Sequence, residues 1–316
     1  MAERRALVTG GAGFIGSHVV EALLADGWEV DVVDDLSSGS ARNVAAAARL
    51  HQLDITDRAA LHATAEQVGP TAIFHLAAQA SVTASVADPG RDCEVNVQGT
   101  LNVVDVAGHL EAPVVFTSTG GALYGDAAPM PTSEERIPEP LSPYGASKWA
   151  AEAYVNTWSL AGDIPHAVCR LGNVYGPRQN PHGEAGVVAI FSHRLHVGEA
   201  PTLYGHGAPT RDYVYVEDVV RALLAASGRR GTFNIATGVE TDVMTIWSEL
   251  SKVAGSQVQP ELADLRPGEL QHSCLDISRA ARELGWRPQV TIEEGLRRTY
   301  AALVAEFQAR DGEGAG

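Results

Sequence analysis

The stretch T-G-G-A-G-F-I-G, residues 9–16, constrains this chain more than any other. Before it stands a short apolar run, Ala6–Thr9, that reads as a buried strand; after it, Phe14–Ala25 carries apolar residues at helical period. The loop satisfies G-x-G-x-x-G through Gly11, Gly13 and Gly16, and G-x-x-G-x-x-G through Gly10, Gly13 and Gly16. A strand that turns through glycines into a helix brings backbone amides and the positive end of the helix dipole to one point, where a pyrophosphate can sit. Gly10, Gly13, Phe14, Ile15 and Gly16 are the residues so placed. A glycine-rich turn without a ligand is the bland alternative, and the strand–loop–helix context weighs against it.

The alternation continues. Glu29–Val33, Arg49–Leu53, Ala72–Leu76, Val114–Ser118 and Ala167–Leu171 read as strands, with helices at Arg58–Gln67 and Asn96–His109 among them. That pattern predicts an α/β chain with a Rossmann-type doubly wound parallel sheet. The second strand runs into V-V-D-D, which sets Asp34 roughly twenty residues past the glycine loop, where a carboxylate accepts hydrogen bonds from an adenosine ribose and repels a 2′-phosphate. No Arg or Lys lies between Asp34 and Arg42, so the expected cofactor is NAD rather than NADP. Asp54 and Ile55, after the third strand, are candidates for the adenine edge, with a plain strand-end Asp as the alternative.

Beyond Leu171 the regularity breaks. Residues 175–211 are rich in Gly, Pro and His around one helix, Val187–Val197. A helix at Glu217–Ala226, a strand at Thr232–Ala236 and helices at Thr245–Ala254, Ser278–Leu284 and Ile292–Phe307 follow. The expected organisation is a cofactor domain at 1–172, with 212–237 packing back on it. Residues 173–211 and 238–307 would form a smaller interleaved α/β lobe, and 308–316 a flexible tail.

Composition narrows the partners. A net charge of −16 over 316 residues argues against nucleic acid or an anionic membrane, though a few aimed arginines can still hold a small anion. Cys93, Cys169 and Cys274 are too few and too scattered for a disulfide framework or a zinc site, and no metal is expected. No apolar run approaches the ~18 residues of a membrane span, and M-A-E-R-R-A-L-V-T-G runs straight into the first strand without a targeting leader. These readings predict a cytoplasmic protein. His193 and His196 share a helix face without a carboxylate to complete a metal site; His182 and Glu184, in N-P-H-G-E-A-G, could touch a ligand or merely cap the next helix.

S-P-Y-G-A-S-K, residues 142–148, puts Tyr144 and Lys148 one helical turn apart with small residues between. A lysine ammonium beside a phenol favours the phenolate. A phenol titrates near ~10, so a base at neutral pH needs a fall of roughly three units, about 4 kcal/mol of preferential phenolate stabilisation. An ordinary surface helix would also accommodate the spacing. The preceding strand, however, runs into V-V-F-T-S-T-G-G-A-L-Y-G, whose Thr119 sits where ligands bind in such sheets.

A hydroxyl at Thr119, then Tyr144 and Lys148, resembles the triad of the short-chain dehydrogenase/reductases. L-A-A-Q (76–79), N-V-Q-G-T (96–100), R-L-G-N-V-Y-G-P (170–177), R-D-Y-V-Y-V-E-D-V (211–219), R-P-G-E (266–269) and L-G-W-R-P (284–288) extend the likeness over nearly the whole chain. Together they look like the extended, NAD-dependent epimerase/dehydratase branch that acts on nucleotide sugars. That resemblance implies Tyr144 as base and acid, Lys148 on the nicotinamide ribose, and Thr119 on the sugar hydroxyl with Ser118 as the neighbouring alternative. It adds Leu76, Ala77, Ala78 and Asn96 to the cofactor side, Asn96 as a hydrogen-bonding brace. On the substrate side it implies Asn173 at the diphosphate or sugar, Arg211 and Arg266 clamping the pyrophosphate, and Glu269 on the uridine ribose. Val187, Val188, Leu203 and Tyr204 would wall the uracil, unless they are plain core. A homodimer built from helices beginning near Asp92 and Ser142 is also implied.

Dehydratases and decarboxylases of such a branch carry a carboxylate beside the Thr, and T-G-G-A-L has none. The implied reaction is therefore epimerisation of a UDP-hexose at C4, with UDP-glucuronate as the close alternative and a catalytically silent NAD sensor as the distant one. Ser273, where some members carry a bulky Tyr, would leave room for an N-acetyl group at C2.

Overall fold

A computed structural model describes residues 4–126, 128–181, 186–266 and 270–313. The chain begins β1 (Arg5–Thr9), α1 (Phe14–Ala25), β2 (Glu29–Asp34), β3 (Arg49–Gln52), α2 (Arg58–Val68), β4 (Ala72–His75), α3 (Val82–Ala87), α4 (Pro89–Cys93), α5 (Gly99–His109), β5 (Val114–Thr119), α6 (Pro143–Ala161) and β6 (Ala167–Leu171). It continues β7 (Asn173–Tyr175), α7 (Val187–Val197), β8 (Thr202–Tyr204), β9 (Thr210–Arg211), β10 (Tyr213–Tyr215), α8 (Val216–Ala226) and β11 (Gly231–Ile235). Last come β12 (Thr241–Asp242), α9 (Val243–Ala254), β13 (Glu261–Ala263), α10 (Ser278–Glu283) and α11 (Ile292–Glu313).

Seven strands form one parallel sheet in the order β11-β6-β5-β4-β1-β2-β3. The chain moves outward from β1 to β2 and β3, then returns to β4 on the other side of β1. That reversal opens a crevice at the carboxyl ends of β1 and β4, where such sheets bind ligands. Both faces of the sheet are covered, so its strands read as continuous apolar runs. Val8, Val20, Leu23, Val32 and Phe74 pack on one face with Val219, Leu223 and Phe233; Leu7, Ile73, Val104, Phe116, Ala151 and Val155 pack on the other. The segment from β10 through β11 thus lies against the cofactor half of the molecule, and so do Ala280 and Trp286 from farther along the chain.

Three short pairs build the remaining lobe: β10 with β7, β12 with β9, and β13 with β8. Its core gathers Phe191, Leu195, Leu203, Tyr213, Ile246, Trp247, Leu250 and Leu296. Two buried carboxylates stitch the lobe to the sheet. Asp212 accepts hydrogen bonds from the amides of Thr237, Gly238 and Leu275, and Asp218 from those of Gln289 and Val290.

The structure departs from the sequence reading at several points. α3, α4 and a π-helical turn at Glu94–Gln98 precede α5, where one continuous helix from Asn96 was expected. The segment 78–98 mixes small and polar residues, so its periodicity is weak and its shape depends on what packs against it. α11 continues past Phe307 to Glu313, so the expected flexible tail is helical as far as residue 313. No described helix is long and apolar enough to cross a membrane.

Candidate active site

At the crevice a cavity of about 1210 Å³ opens. Gly10, Gly13, Phe14, Ile15, Gly16, Asp34, Asp54, Ile55, Leu76, Ala77 and Ala78, all predicted from sequence, line it. The glycine loop fits a dinucleotide. Gly10 is left-handed (φ +72°) and a Cβ there would stand 2.6 Å from the Ala77 amide nitrogen. A Cβ on Gly16 would stand 2.0 Å from the Gly10 carbonyl. No side chain caps the start of α1, which leaves its first amides for an anion.

Asp34 closes β2 with its carboxylate accepting from the amides of Ala12 and Leu36, each at 2.9 Å. Burial raises its pKa, and those two amides oppose the rise. Burial would also raise Asp54, but the Thr56 amide and the Arg91 guanidinium outweigh it and hold that carboxyl below its ordinary range. Among the described cysteines none is bonded to another, and no described cluster could hold a metal.

Asn96 does not line the cavity. Its side chain is buried in the π-helical turn, donating to the Gln79 carbonyl, Asp92 Oδ1 and Ser147 Oγ and accepting from the Gln79 amide. It braces the loop after β4 against α6. His75 supports the same region from below. Thr100 donates its hydroxyl proton to the Asn96 carbonyl, so it accepts from His75 Nε2; Thr9 then donates to Nδ1. Burial pushes the His75 pKa down to about 3, in keeping with that neutral ring.

Ser142 and Pro143 start α6. The Ser142 hydroxyl accepts from the Gly145 amide, and Pro143 occupies the first turn where its missing N–H costs nothing. The buried face of this helix carries Lys148, Ala151, Glu152 and Val155 onto the sheet. Tyr144 is thereby brought to the end of β5, where the Thr119 hydroxyl is close enough to the phenol to favour its phenolate. Ser118 is occupied elsewhere, donating to Glu152, which is itself clamped by Arg170 at 2.6 Å. The two hydroxyls that sequence could not separate therefore have different partners, and Thr119 is the one at the phenol.

In this arrangement the phenol is shifted away from the phenolate. Burial raises the Tyr144 pKa to about 12; the Thr119 hydroxyl opposes this and Asp92 adds to it. Burial lowers Lys148 to about 8, while Glu152 and Asp92 support its charge. Its ammonium lies 4.6 Å from the centre of the Phe116 ring. The spacing placed Lys148 on the same helix face as Tyr144, but burial is the dominant influence on the phenol. Thr117 lines the cavity, whereas Thr119, Tyr144 and Lys148 close on one another beside it.

On the substrate side, Asn173 reaches the same place: its Oδ1 lies 3.2 Å from where a Cβ on Gly121 would be. Val188 and Leu203 are 1% and 0% exposed within the lobe's core, so they take the plain-core role rather than that of a pocket wall. Tyr204 is partly exposed, and the Arg266 guanidinium lies 3.6 Å from its ring centre. Arg211 donates to the carbonyls of Thr210 and Gln271. Among the described residues no carboxylate pairs with Arg211 or Arg266, which leaves two cations without counter-ions in a chain of charge −16. Ser273 lines a small recess with Gly120, Gly121, Tyr124 and Met130. Glu269, His182 and Glu184 lie outside the described residues.

Sequence reasoning missed the Glu152–Arg170 pair, the His75 chain, and the cavity-lining Arg91 and Arg178. A charged residue on the buried face of α6 was the available signal for the first. The others depend on contacts between distant segments.

Residues 6–236 match the NAD dependent epimerase/dehydratase family. The chain is 46% identical over 304 residues to a UDP-glucose 4-epimerase of Mycolicibacterium smegmatis, covering 93% of this chain and 97% of that one. A crystal structure of UDP-glucose 4-epimerase with UDP-glucose from Thermotoga maritima superposes with TM-score 0.94 at 43% identity, covering 96% and 99% of the two chains. The Thermus thermophilus UDP-glucose 4-epimerase complex with NAD gives 0.89 at 42%, covering 95% and 99%. The chain therefore belongs to the NAD dependent epimerase/dehydratase family.

Proposed function

We propose that the protein is a UDP-sugar 4-epimerase that interconverts UDP-glucose and UDP-galactose. The observation that carries this reading is the meeting of Thr119 and Tyr144 at the end of β5, beside the dinucleotide cavity, with no carboxylate in the adjoining G-G-A-L stretch. NAD, when bound, accepts a hydride from the sugar carbon and returns it. Tyr144 Oη takes the proton of the C4 hydroxyl and gives it back, and Thr119 orients that hydroxyl. Lys148 would hold the nicotinamide ribose, and its charge with that of the oxidised cofactor would favour the phenolate against burial. Without an acid beside Thr119, elimination has no proton donor, and inversion at C4 is the outcome left. Arg211 and Arg266 hold the diphosphate, for which their forked donors are suited.

The apolar side chains of Trp149, Tyr154 and Leu160, exposed on α6, support a homodimer through that helix and the one beginning near Asp92, which light scattering on the purified protein tests. Proton NMR of UDP-glucose and UDP-glucuronate, incubated separately with purified protein, tests the main reading. UDP-galactose is the expected product; UDP-galacturonate alone would move the substrate to the uronic acid. Consumption of neither substrate would remove the epimerase assignment.

A further inference from the structure

Gly176, Pro177, Arg178, Gln179, Asn180 and Pro181 form a continuous strap along the wall of the cofactor cavity. The strap leaves β7 and passes the glycine loop, where a Cβ on Gly176 would stand 3.6 Å from the Phe14 ring. At Arg178 the backbone is left-handed (φ +69°), a conformation that a non-glycine residue keeps only when its surroundings hold it there. The side chain supplies the hold. Its guanidinium donates from Nη1 to Glu21 Oε1 at 3.0 Å and from Nη2 to Glu21 Oε2 at 2.6 Å, a fork on a carboxylate. Nη2 also donates to His18 Nδ1 at 2.9 Å, and His18 Nε2 donates to the Pro177 carbonyl at 3.0 Å. His18 and Glu21 lie one turn apart on α1, the helix whose first turn forms the dinucleotide end of the cavity.

We infer that Arg178 is a clasp that retains the dinucleotide, pinning the strap to α1 through Glu21 and His18 so that cofactor exchange requires the clasp to open. The inference rests on the cavity holding NAD. A tie of this kind suits an enzyme that returns its cofactor to the starting oxidation state in every cycle, because release serves no step of such a cycle.

The test is the rate at which bound NAD leaves the purified full-length protein, followed by exchange with an excess of a fluorescent, etheno-modified NAD. Arg178→Ala is expected to speed release roughly fivefold to tenfold, and Glu21→Gln roughly fivefold, the scale of a partly exposed forked ion pair with one added hydrogen bond. Glu21 does not line the cavity, so turnover of Glu21→Gln in saturating NAD should equal that of the parent. The double variant should release NAD no faster than Arg178→Ala alone, because both changes break one interaction. Unchanged release in both single variants overturns the inference. So does faster release accompanied by an equal loss of turnover in saturating NAD, which would mark a general loosening of the fold. A parent protein that neither contains nor binds NAD would instead overturn the cofactor reading, and the clasp with it.

Discussion

Tyr144 and Lys148 show how far adjacent residues can be interpreted without their surroundings. Their spacing fixed a common helix face. It did not fix the sign of the phenol's pKa shift, because desolvation acts through every group packed around the ring. The same packing separates Ser118 from Thr119, and the two hydroxyls predict different phenotypes. Tyr144→Phe should lower kcat on the order of a thousandfold while the protein keeps its NAD, as measured by turnover and by cofactor content after desalting. Thr119→Ala should cost roughly tenfold to a hundredfold in kcat with little change in melting temperature. Ser118→Ala should do the reverse, costing about 1–2 kcal/mol in urea denaturation as Glu152 loses a buried donor, with kcat little changed.

Among the elements, α1 and α6 carry most of the site. α6 is readable from its Ser-Pro start and its small residues. The charged Glu152 on its buried face is explained only by Arg170 on β6, which meets it with two donors. Removing one partner of such a pair strands the other: Arg170→Met should destabilise the protein by about 3–5 kcal/mol, measured by chemical denaturation. α1 is fixed by its glycine start, but the outward residues His18 and Glu21 gain their meaning from a strap more than a hundred residues away. His18 accepts from Arg178 only when its ring is neutral. Burial lowers its pKa, Arg178 adds to that, and the Pro177 carbonyl, Glu21 and Glu217 oppose it. The clasp is therefore intact through the ordinary histidine range near ~6.5 and weakens only as pH falls through the lowered pKa of the folded ring. NAD release should be independent of pH on the alkaline side and faster in acid. Replacing His18 with Gln should flatten that dependence.

For the whole molecule, net charge and buried histidines set the response to solution conditions. Arg211 and Arg266 stand without carboxylate partners among the described residues of an acidic chain, so they are available to a diphosphate. Arg211→Ala and Arg266→Ala should each raise the KM for UDP-glucose roughly tenfold or more while changing kcat less, with steady-state kinetics as the check. His75 and His166 are both 0% exposed, and burial lowers them to about 3 and about 4. An unfolded chain binds protons at both below ~6.5 and the folded one does not, so stability rises with pH across that interval. Each ring should remove about 1.4 kcal/mol for each pH unit below ~6.5, until its folded pKa is reached. Urea midpoints measured at neutral and mildly acidic pH would show the decline; equal midpoints would mean that the rings are protonated inside the fold.

The sequence by itself determined the parallel sheet, the dinucleotide loop with Asp34, and the shared helix face of Tyr144 and Lys148. These follow from period, glycine geometry and turn chemistry, which act over a few residues. It also located Arg211 and Arg266, through resemblance rather than through spacing. Only the tertiary structure decided which groups Asn96 braces, that Val188 and Leu203 belong to the core, and that α3 and α4 precede a π-helical turn. It alone joined Arg178 to Glu21 and showed burial dominating at the phenol. Each of these depends on desolvation or on contacts between distant segments, and neither is encoded at the spacing of neighbouring residues.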